Sequence, residues 1–201
     1  MHEALFYEKQ HDGKIICSLC PHTCLISEEQ RGLCGVRENR NGTLYSLVYG
    51  QPIAEHADPI EKKPLFHMLP GSLSYSIGTP GCNLSCRHCQ NAEIAHLPRV
   101  HDIPAGIDRS AETIVNAALD RGCRSIACTY TEPTIYFEYA LEVSKLAASS
   151  NLKTVFVTNG YIAPRAIDII APFLDAANID LKAFSDDFYR TICGARLQPV
   201  L

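Results

Sequence analysis

The 201-residue sequence lacks three features that would assign it to a common functional class. It has no basic excess: 18 Lys and Arg against 22 Asp and Glu give a formal net charge of −4. Nucleic-acid-binding surfaces are usually basic. No apolar run is long enough to span a bilayer, and residues 1–6 lack the basic-then-apolar layout of a signal peptide. We therefore expect a cytoplasmic protein that binds neither nucleic acid nor membranes.

Cysteine, by contrast, is abundant, with ten residues in the chain. In an exported protein this number would predict disulfides, but in the reducing cytoplasm it predicts metal ligands and free thiols. Seven of the ten fall into two groups along the sequence. Cys123, Cys128 and Cys193 are scattered, and we interpret them as ordinary buried thiols.

The second group, Cys82, Cys86 and Cys89, has the spacing C-x3-C-x2-C and is followed by Gln90-Asn91. Thiolates are soft ligands that select iron–sulfur clusters, zinc or Cu(I). A cubane cluster usually takes four cysteines, so three on one loop would leave one iron open to a small chelating ligand. The alternative is a zinc loop or a few buried thiols, but zinc ribbons normally pair two C-x2-C knuckles.

The first group, Cys17, Cys20, Cys24 and Cys34, has the spacing C-x2-C-x3-C-x9-C. Four thiolates this close predict a closed tetrahedral zinc site or the ligands of an auxiliary iron–sulfur cluster. His22 could replace one of the four. A metal here would mainly fold a segment too small to hold its own core; the alternative is a reduced stretch that binds nothing.

The pattern along the chain predicts a cysteine-rich module at residues 1–50, a connector at 51–72 and a core at 73–201. Prolines throughout 52–71 predict an ordered connector without regular structure. After Gly71, strands alternate with helices, which predicts an α/β fold with a parallel sheet. Strands are predicted at 73–77, 125–130, 154–158 and 177–181, and helices at 110–121, 134–149, 164–174 and 186–192.

Polar motifs follow these strands, at the sheet edge where parallel α/β folds place their active sites. Glu132 could accept hydrogen bonds from an ammonium group, or only begin the next helix. Asn159-Gly160 could be a simple turn. Asp180 and Lys182 share one strand face, where they either serve a cavity or form a salt bridge that closes its mouth.

The cysteine spacing of residues 82–89 resembles the signature of the radical S-adenosylmethionine (SAM) superfamily. The strings Asp58-Pro59-Ile60-Glu61-Lys62-Lys63-Pro64-Leu65, Tyr130-Thr131-Glu132-Pro133-Thr134 and Cys20-Pro21-His22 resemble the AmmeMemoRadiSam-system radical SAM enzymes. These enzymes are relatives of the pyruvate formate-lyase activating enzymes, and the likeness covers nearly the whole chain. It implies a [4Fe-4S] cluster whose open iron is held by the amino and carboxylate groups of SAM.

The resemblance also implies roles for residues at the strand ends. His88 would lie near the adenine of SAM, unless it is a solvated loop histidine. Glu132 would bind the amino group of SAM, although Tyr130 and Thr131 replace the glycines usual at this point. Thr158 and Asn159 would face SAM, with Val157 where the activating enzymes have an aspartate. Asp180 and Lys182 match an Asp-Leu-Lys of the activating enzymes.

Together these features predict a cytoplasmic radical SAM enzyme with a partial (β/α) barrel and a cysteine-rich N-terminal module. The resemblance implies reductive SAM cleavage, a 5′-deoxyadenosyl radical and an external donor similar to flavodoxin or ferredoxin. The substrate is unknown, and is a glycyl-radical protein if the likeness to activating enzymes extends to it. The alternatives are an iron–sulfur electron carrier, which would not bind SAM, and a zinc-stabilised binding module.

The core also predicts that the chain is a fragment. A radical SAM core usually closes with about six β/α units, since closure removes open sheet edges, and only four follow Gly71. The exposed edge of the last strand would favour aggregation. We therefore expect the 201-residue chain to be poorly soluble or dimeric and weak in SAM turnover.

Overall fold

The N-terminal part of the computed structural model, which describes residues 1–99, 102–103 and 106–201, contains two small antiparallel sheets. One has the strand order β1-β6-β5 and the other β2-β3-β4. Both are built from short strands whose buried residues belong to the same hydrophobic core as the rest of the chain. The strands are β1 (His2–Glu3), β2 (Tyr7–Lys9), β3 (Ile15–Cys17), β4 (Leu25–Ile26), β5 (Arg37–Arg40) and β6 (Thr43–Ser46).

A five-stranded sheet forms the rest of the scaffold, with the order β11-β10-β9-β8-β7. Its strands are β7 (Ala54–Pro59), β8 (Leu73–Gly78), β9 (Ser125–Cys128), β10 (Lys153–Thr158) and β11 (Ala176–Ile179). Strands β8 to β11 are parallel, and β7 is antiparallel to β8. The parallel α/β prediction is therefore confirmed, and the predicted start of each core strand lies within two residues of the observed start.

Helices follow the parallel strands, as the alternating pattern predicts. The α-helices are α1 (Ala92–Ala95), α2 (Ala111–Asp120), α3 (Phe137–Ser149), α4 (Pro164–Ile170) and α5 (Asp186–Phe188). Short 3₁₀ segments cover Ile60–Lys62, Leu97–Arg99, Pro133–Tyr136, Ala171–Phe173 and Gln198–Val200, and a π-turn covers Tyr189–Cys193. Ser110 is the N-cap of α2, since its side chain accepts a hydrogen bond from Thr113 N.

The connector is more regular than its prolines predict. The expectation of no regular structure at 52–71 is wrong for Ala54–Pro59, which forms β7 and pairs with β8 along its whole length. This strand lies at the sheet edge, and its proline is its last residue, where a missing N–H does not interrupt the ladder. The following segment lies on the sheet: Ile60 is fully buried against Ala127 and Val155.

The N-terminal sheets share one continuous hydrophobic core with the β/α part. Phe6 meets the ring of Phe137 edge-on at 5.1 Å. Arg37 donates from Nη2 to Glu138 Oε1 at 2.6 Å and from Nη1 to Oε2 at 3.0 Å, and both side chains are only 2% exposed. The predicted module is thus anchored to α3 by aromatic packing and a buried ion pair. Its boundaries remain a prediction.

Within the described ranges 1–99, 102–103 and 106–201, none of the helices combines the length and apolarity that a bilayer crossing requires.

Candidate active site

A cavity of about 940 Å³ lies at the C-terminal ends of the parallel strands. It brings together every residue of the core that the sequence predicts for the site. These are Cys82, Cys86, Cys89, His88, Tyr130, Glu132, Thr158, Asn159, Asp180 and Lys182. The topological rule for parallel sheets explains this convergence, since each of these residues lies at or after the C-terminal end of a strand.

The three cysteines sit on the loop that follows β8, and all are free thiols. Cys82 Sγ accepts a hydrogen bond from Leu84 N at 3.4 Å. Burial raises the pKa of Cys82 well above its ordinary value and raises the pKa of Cys86 to about 12, with the neighbouring Cys193 adding to the shift at Cys86. Both groups are therefore protonated thiols at neutral pH until a metal displaces the protons.

The cysteine loop is held from two sides. Cys193 O accepts from Ser85 N at 2.8 Å, and Ile192 O accepts from Arg87 N at 3.1 Å. On the other side Arg99 Nη2 donates to the carbonyls of Cys82 at 2.8 Å and Leu84 at 2.7 Å. Cys193 is fully buried, as expected of an ordinary thiol, and its backbone anchors the loop.

Asn159, at the end of β10, joins that strand to the cysteine loop. Its Nδ2 donates to Asn83 Oδ1 at 2.9 Å and lies 3.7 Å from Cys82 Sγ. Its Oδ1 accepts from Tyr161 N at 2.8 Å, and Asn83 Nδ2 donates to Tyr161 O at 2.7 Å. The segment that could have been a simple turn is therefore also a brace for the first cysteine.

Glu132 is only 1% exposed and accepts several internal hydrogen bonds. Its Oε1 accepts from Thr134 N at 3.0 Å, Thr134 Oγ1 at 2.6 Å and Thr158 Oγ1 at 2.7 Å, and its Oε2 accepts from Asn159 N at 2.8 Å. Burial raises the pKa of Glu132, and these bonds oppose the rise. The carboxylate thus begins the following 3₁₀ segment and also clamps the end of β9 to that of β10.

The remaining predicted residues line the cavity rim. Asp180 and Lys182 form the ion pair that the sequence left as an alternative, with Lys182 Nζ donating to Asp180 Oδ2 at 2.5 Å. Burial alone would lower the pKa of Lys182, but the hydrogen bond and charge of Asp180 outweigh it and raise that pKa. His88 is exposed, and its ring lies 5.8 Å from that of Phe188.

Among the residues of the cavity wall that sequence reasoning did not assign to the site are His56, Asp58, Lys62 and Lys63. They belong to β7 and the segment after it, which the proline pattern assigned to a connector. The signal that could have found them is the Asp-x3-Lys-Lys run, whose clustered charges are unusual for a segment that also buries Ile60. The main-chain contact of Asn91 was also missed: its Nδ2 donates to Tyr130 O.

The N-terminal cysteines lie elsewhere, around an enclosed cavity of about 20 Å³. All four of Cys17, Cys20, Cys24 and Cys34 line it. His22 lines it too, but its Nε2 donates to the carbonyl of Asn83 at 2.8 Å, a bond that touches the cysteine loop of the core. Burial raises the pKa of Cys20 to about 12 and that of Cys34 to about 11.

The comparison with protein families decides the assignment. Residues 76–200 match the radical SAM superfamily. This chain belongs to the radical SAM superfamily. Membership implies a [4Fe-4S] cluster and SAM-dependent radical chemistry. The match begins within β8 and therefore includes all three cysteines of the loop.

Individual relatives of this radical SAM chain were also found. It is 44% identical over all 201 residues to the uncharacterized protein MJ0808 of Methanocaldococcus jannaschii, and it spans 59% of that protein's length. QueE from Escherichia coli is a structural neighbour with a TM-score of 0.46 and 16% identity, over 69% of this chain and 65% of QueE. TYW1 with a lysine-pyruvate adduct bound gives a TM-score of 0.40 and 22% identity, over 63% of this chain and 47% of TYW1.

The donor set of the radical SAM loop fits a [4Fe-4S] cluster. In such a cluster each cysteine binds a different iron, so the sulfur atoms need not converge on one point. Within the described parts of the chain no three Cys, His, Asp or Glu side chains converge as a single metal ion would require. Three free thiols beside a roomy cavity therefore suit a cluster with one open iron, whereas the N-terminal thiols would have to move to bind zinc.

Proposed function

We propose that this chain is the catalytic core of a radical SAM enzyme that cleaves SAM and removes a hydrogen atom from a substrate. The observation that carries the proposal is the cavity itself. Three free cysteines with superfamily spacing share it with polar residues from the ends of β9, β10 and β11. Its volume of about 940 Å³ lies in the upper range of ligand pockets and leaves room for a cofactor beside a substrate.

Cys82, Cys86 and Cys89 would hold the [4Fe-4S] cluster in this proposal. When bound, the cluster supplies the electron that cleaves SAM reductively to a 5′-deoxyadenosyl radical. The protein's part is to keep the thiolates in place and the site closed to competing reactions. Asn159 and Arg99 do this for Cys82 through the bonds described above.

The strand ends would bind SAM itself. Glu132 supports the proposal as a buried carboxylate at the cavity wall, able to attract the methionine ammonium group of SAM. Thr158 and Asn159 fix the direction of that carboxylate. Tyr130 and His88 would flank the cofactor, and the pair of Asp180 and Lys182 would offer both signs of charge at the rim.

Anaerobic reconstitution tests the proposal. Reconstituted protein should show an iron–sulfur absorption band, and its reduced EPR signal should change when SAM is added, with 5′-deoxyadenosine formed under a chemical reductant. A cluster whose EPR signal is unchanged by SAM would instead support the electron-carrier alternative. Zinc without iron would support the binding-module alternative.

The subtype, the substrate and the partners also belong to the proposal. The resemblance of residues 58–65 and 130–134 to the AmmeMemoRadiSam-system enzymes supports that group, and its kinship with activating enzymes supports a glycyl-radical protein as the substrate. The electron donor would be similar to flavodoxin or ferredoxin. Ten free cysteines support a reducing compartment such as the cytoplasm.

A second metal at Cys17, Cys20, Cys24 and Cys34 is the next part of the proposal. Their shared cavity supports it, and because the pKa of Cys20 and of Cys34 is raised, binding would release protons. Zinc or an auxiliary cluster would close this site. Elemental analysis of protein whose core cysteines are replaced is the direct test.

The partial barrel of the sequence-based prediction also remains a proposal. It is supported by the apolar character of the sheet edge at β11, where Ile179 is 57% exposed, Leu181 46% and Phe184 80%. Exposed apolar edges favour association with another strand. Light scattering should therefore find the chain dimeric or aggregated, whereas a monomer fully active in SAM cleavage would show that the partial barrel is stable without a further strand at this edge.

A further inference from the structure

A charged and aromatic cluster lines the wall of the candidate cavity on the β7 side of the sheet. Its members are His56, Asp58, Lys62, Lys63 and Tyr130. In the β7–β8 register Asp58 is opposite Ser74, whereas the cysteine loop leaves β8 after Gly78. Four residues of strand span about 13 Å. The backbone of Asp58 is thus about 13 Å along the sheet from the start of the cysteine loop, whereas Tyr130, whose carbonyl accepts from Asn91 Nδ2, lies beside that loop.

Lys63 is the least exposed charge of this cluster, at 3%. Its Nζ donates to Asp58 Oδ2 at 2.9 Å and lies 5.3 Å from the centre of the Tyr130 ring. An ammonium group has three N–H donors, and among the described residues Asp58 is the only hydrogen-bond acceptor found for it. Because an under-bonded buried charge is unfavourable, this ammonium group suits a further acceptor from the cavity.

The charges of the cluster do not cancel. Lys62 Nζ also donates to Asp58, at 3.2 Å to Oδ1. Burial would raise the pKa of Asp58, but hydrogen bonds from Lys63, Lys62 and Tyr130 outweigh it and lower the pKa to about 2. Two ammonium groups therefore face one carboxylate, which leaves one net positive charge in the cluster.

Tyr130 is held in a strained conformation that directs its side chain into this cluster. Its φ is 65°, in the left-handed region that bulky residues rarely adopt. Its hydroxyl donates to Asp58 Oδ2 at 3.1 Å. Burial and the charge of Asp58 raise the pKa of Tyr130 to about 12, so the phenol keeps its proton. Such strain persists where the surroundings enforce it, often at ligand sites.

We propose that His56, Asp58, Lys62, Lys63 and Tyr130 form a subsite for an anionic group of the substrate, a carboxylate or a phosphate. Lys63 and Lys62 bind the anion, and Asp58 and Tyr130 orient the two ammonium groups. A substrate anchored here extends along the sheet toward Cys82. That the bound anion belongs to a substrate rests on the proposed function, but anion binding by the cluster can be measured without SAM cleavage.

The experiment is a thermal shift titration of the reconstituted protein with inorganic phosphate in one arm and succinate in the other. Chloride keeps the ionic strength constant. At ten times the dissociation constant a bound anion should raise Tm by about 3–5 °C, and above that concentration Tm should go on rising with the logarithm of the anion concentration. The arm with the larger rise tells whether the subsite prefers phosphate or carboxylate.

Variants locate the effect. Lys63→Met should lose the shift, and the exposed Lys62→Met, which is safer for folding, should weaken it at least threefold. Lys145→Met is the matched control, because Lys145 is an exposed lysine of α3 whose Nζ lies over the ring of Phe173, away from the cluster. This variant should keep the full rise in Tm.

No rise in Tm of the wild type above the chloride control at equal ionic strength, or an equal rise in the wild type and in Lys62→Met, would overturn the subsite. SAM cleavage measured on the same preparations reports separately on the proposed function. A protein that binds anions at Lys62 and Lys63 without cleaving SAM would refute the function and keep the subsite. Cleavage without anion binding would do the reverse.

Discussion

The two cysteine groups use the same ligand atoms in very different surroundings. Cys17, Cys20, Cys24 and Cys34 enclose about 20 Å³ among apolar neighbours such as Leu19, whereas Cys82, Cys86 and Cys89 border a cavity of about 940 Å³. The first group has no room for a second molecule. The second opens onto carboxylates, amides and ammonium groups from three strand ends.

This difference in surroundings indicates different roles for the two cysteine groups. A metal site closed by four protein ligands serves structure, and a site that leaves one position open serves chemistry. The two are not isolated from each other, because His22 of the first group donates to the backbone of Asn83 beside Cys82. Five predictions test the comparison, from the largest expected effect to the smallest.

Replacing Cys82, Cys86 and Cys89 together by Ala should abolish SAM cleavage and the core iron–sulfur signal, because no other thiol of the loop can replace them. Absorption and 5′-deoxyadenosine formation measure the two losses. The matched control is Cys123→Ala, which removes a buried thiol that lines neither cavity and should keep both signals. Cleavage that survives in the triple variant would remove the core site from the mechanism.

The same triple variant should still retain metal if the N-terminal group is a metal site. Adding Cys34→Ala to it should then remove that metal, since a closed tetrahedral site does not tolerate the loss of a ligand. Elemental analysis decides both steps. Metal-free triple variant that remains folded would contradict an N-terminal metal.

Glu138→Gln should destabilise the protein by about 3–5 kcal/mol, because it leaves the Arg37 guanidinium buried without its counter-charge. Urea unfolding measures the change in the free energy of unfolding. The control is Lys153→Met, which breaks the exposed ion pair with Asp175 and should change that free energy little. An equal loss in both would show that burial of the first pair does not matter.

Acid should reduce the difference in unfolding free energy between the wild type and Glu138→Gln. Burial would raise the pKa of Glu138, but Arg37 outweighs it and lowers the pKa. A lowered carboxylate pKa contributes stability that is complete above the unfolded pKa of about 4.3 and is lost as pH falls through the folded value. The wild type should therefore approach the stability of Glu138→Gln below about pH 4.

The smallest expected effect comes from Asn159→Ala. It removes the bond to Asn83 and the amide 3.7 Å from Cys82 Sγ, and supporting contacts of this kind typically change metal affinity or activity by about tenfold or more. SAM cleavage and the EPR line shape measure it. Asn116→Ala, on the exposed face of α2, is the control and should change neither.

The regular part of the fold was predictable because local signals agreed with it. Ser110 predicts the start of α2, and the run from Thr154 to Val157 predicts β10 by its β-branched residues. Strand β7 was missed because Glu55-His56-Ala57-Asp58 has no β-branched residue, so only pairing with β8 makes it a strand.

The site was predictable to the extent that topology gathers strand ends. Every predicted core residue lines the cavity, although the roles given to them remain predictions. What the sequence could not show is which contacts each residue makes. The carboxylate oxygens of Glu132 accept hydrogen bonds from Thr134, Thr158 and Asn159. Lys63 reaches the cavity only because its segment folds over the sheet.

The ion pair of Arg37 and Glu138 also sets an order of events during synthesis. The two residues are 101 positions apart, and a ribosome adds about 5–20 residues per second. Arg37 therefore spends roughly 5–20 s without its partner after it is made. During that interval the N-terminal sheets cannot complete their buried interface with α3, and their four thiols stay open to metal before the chain seals them.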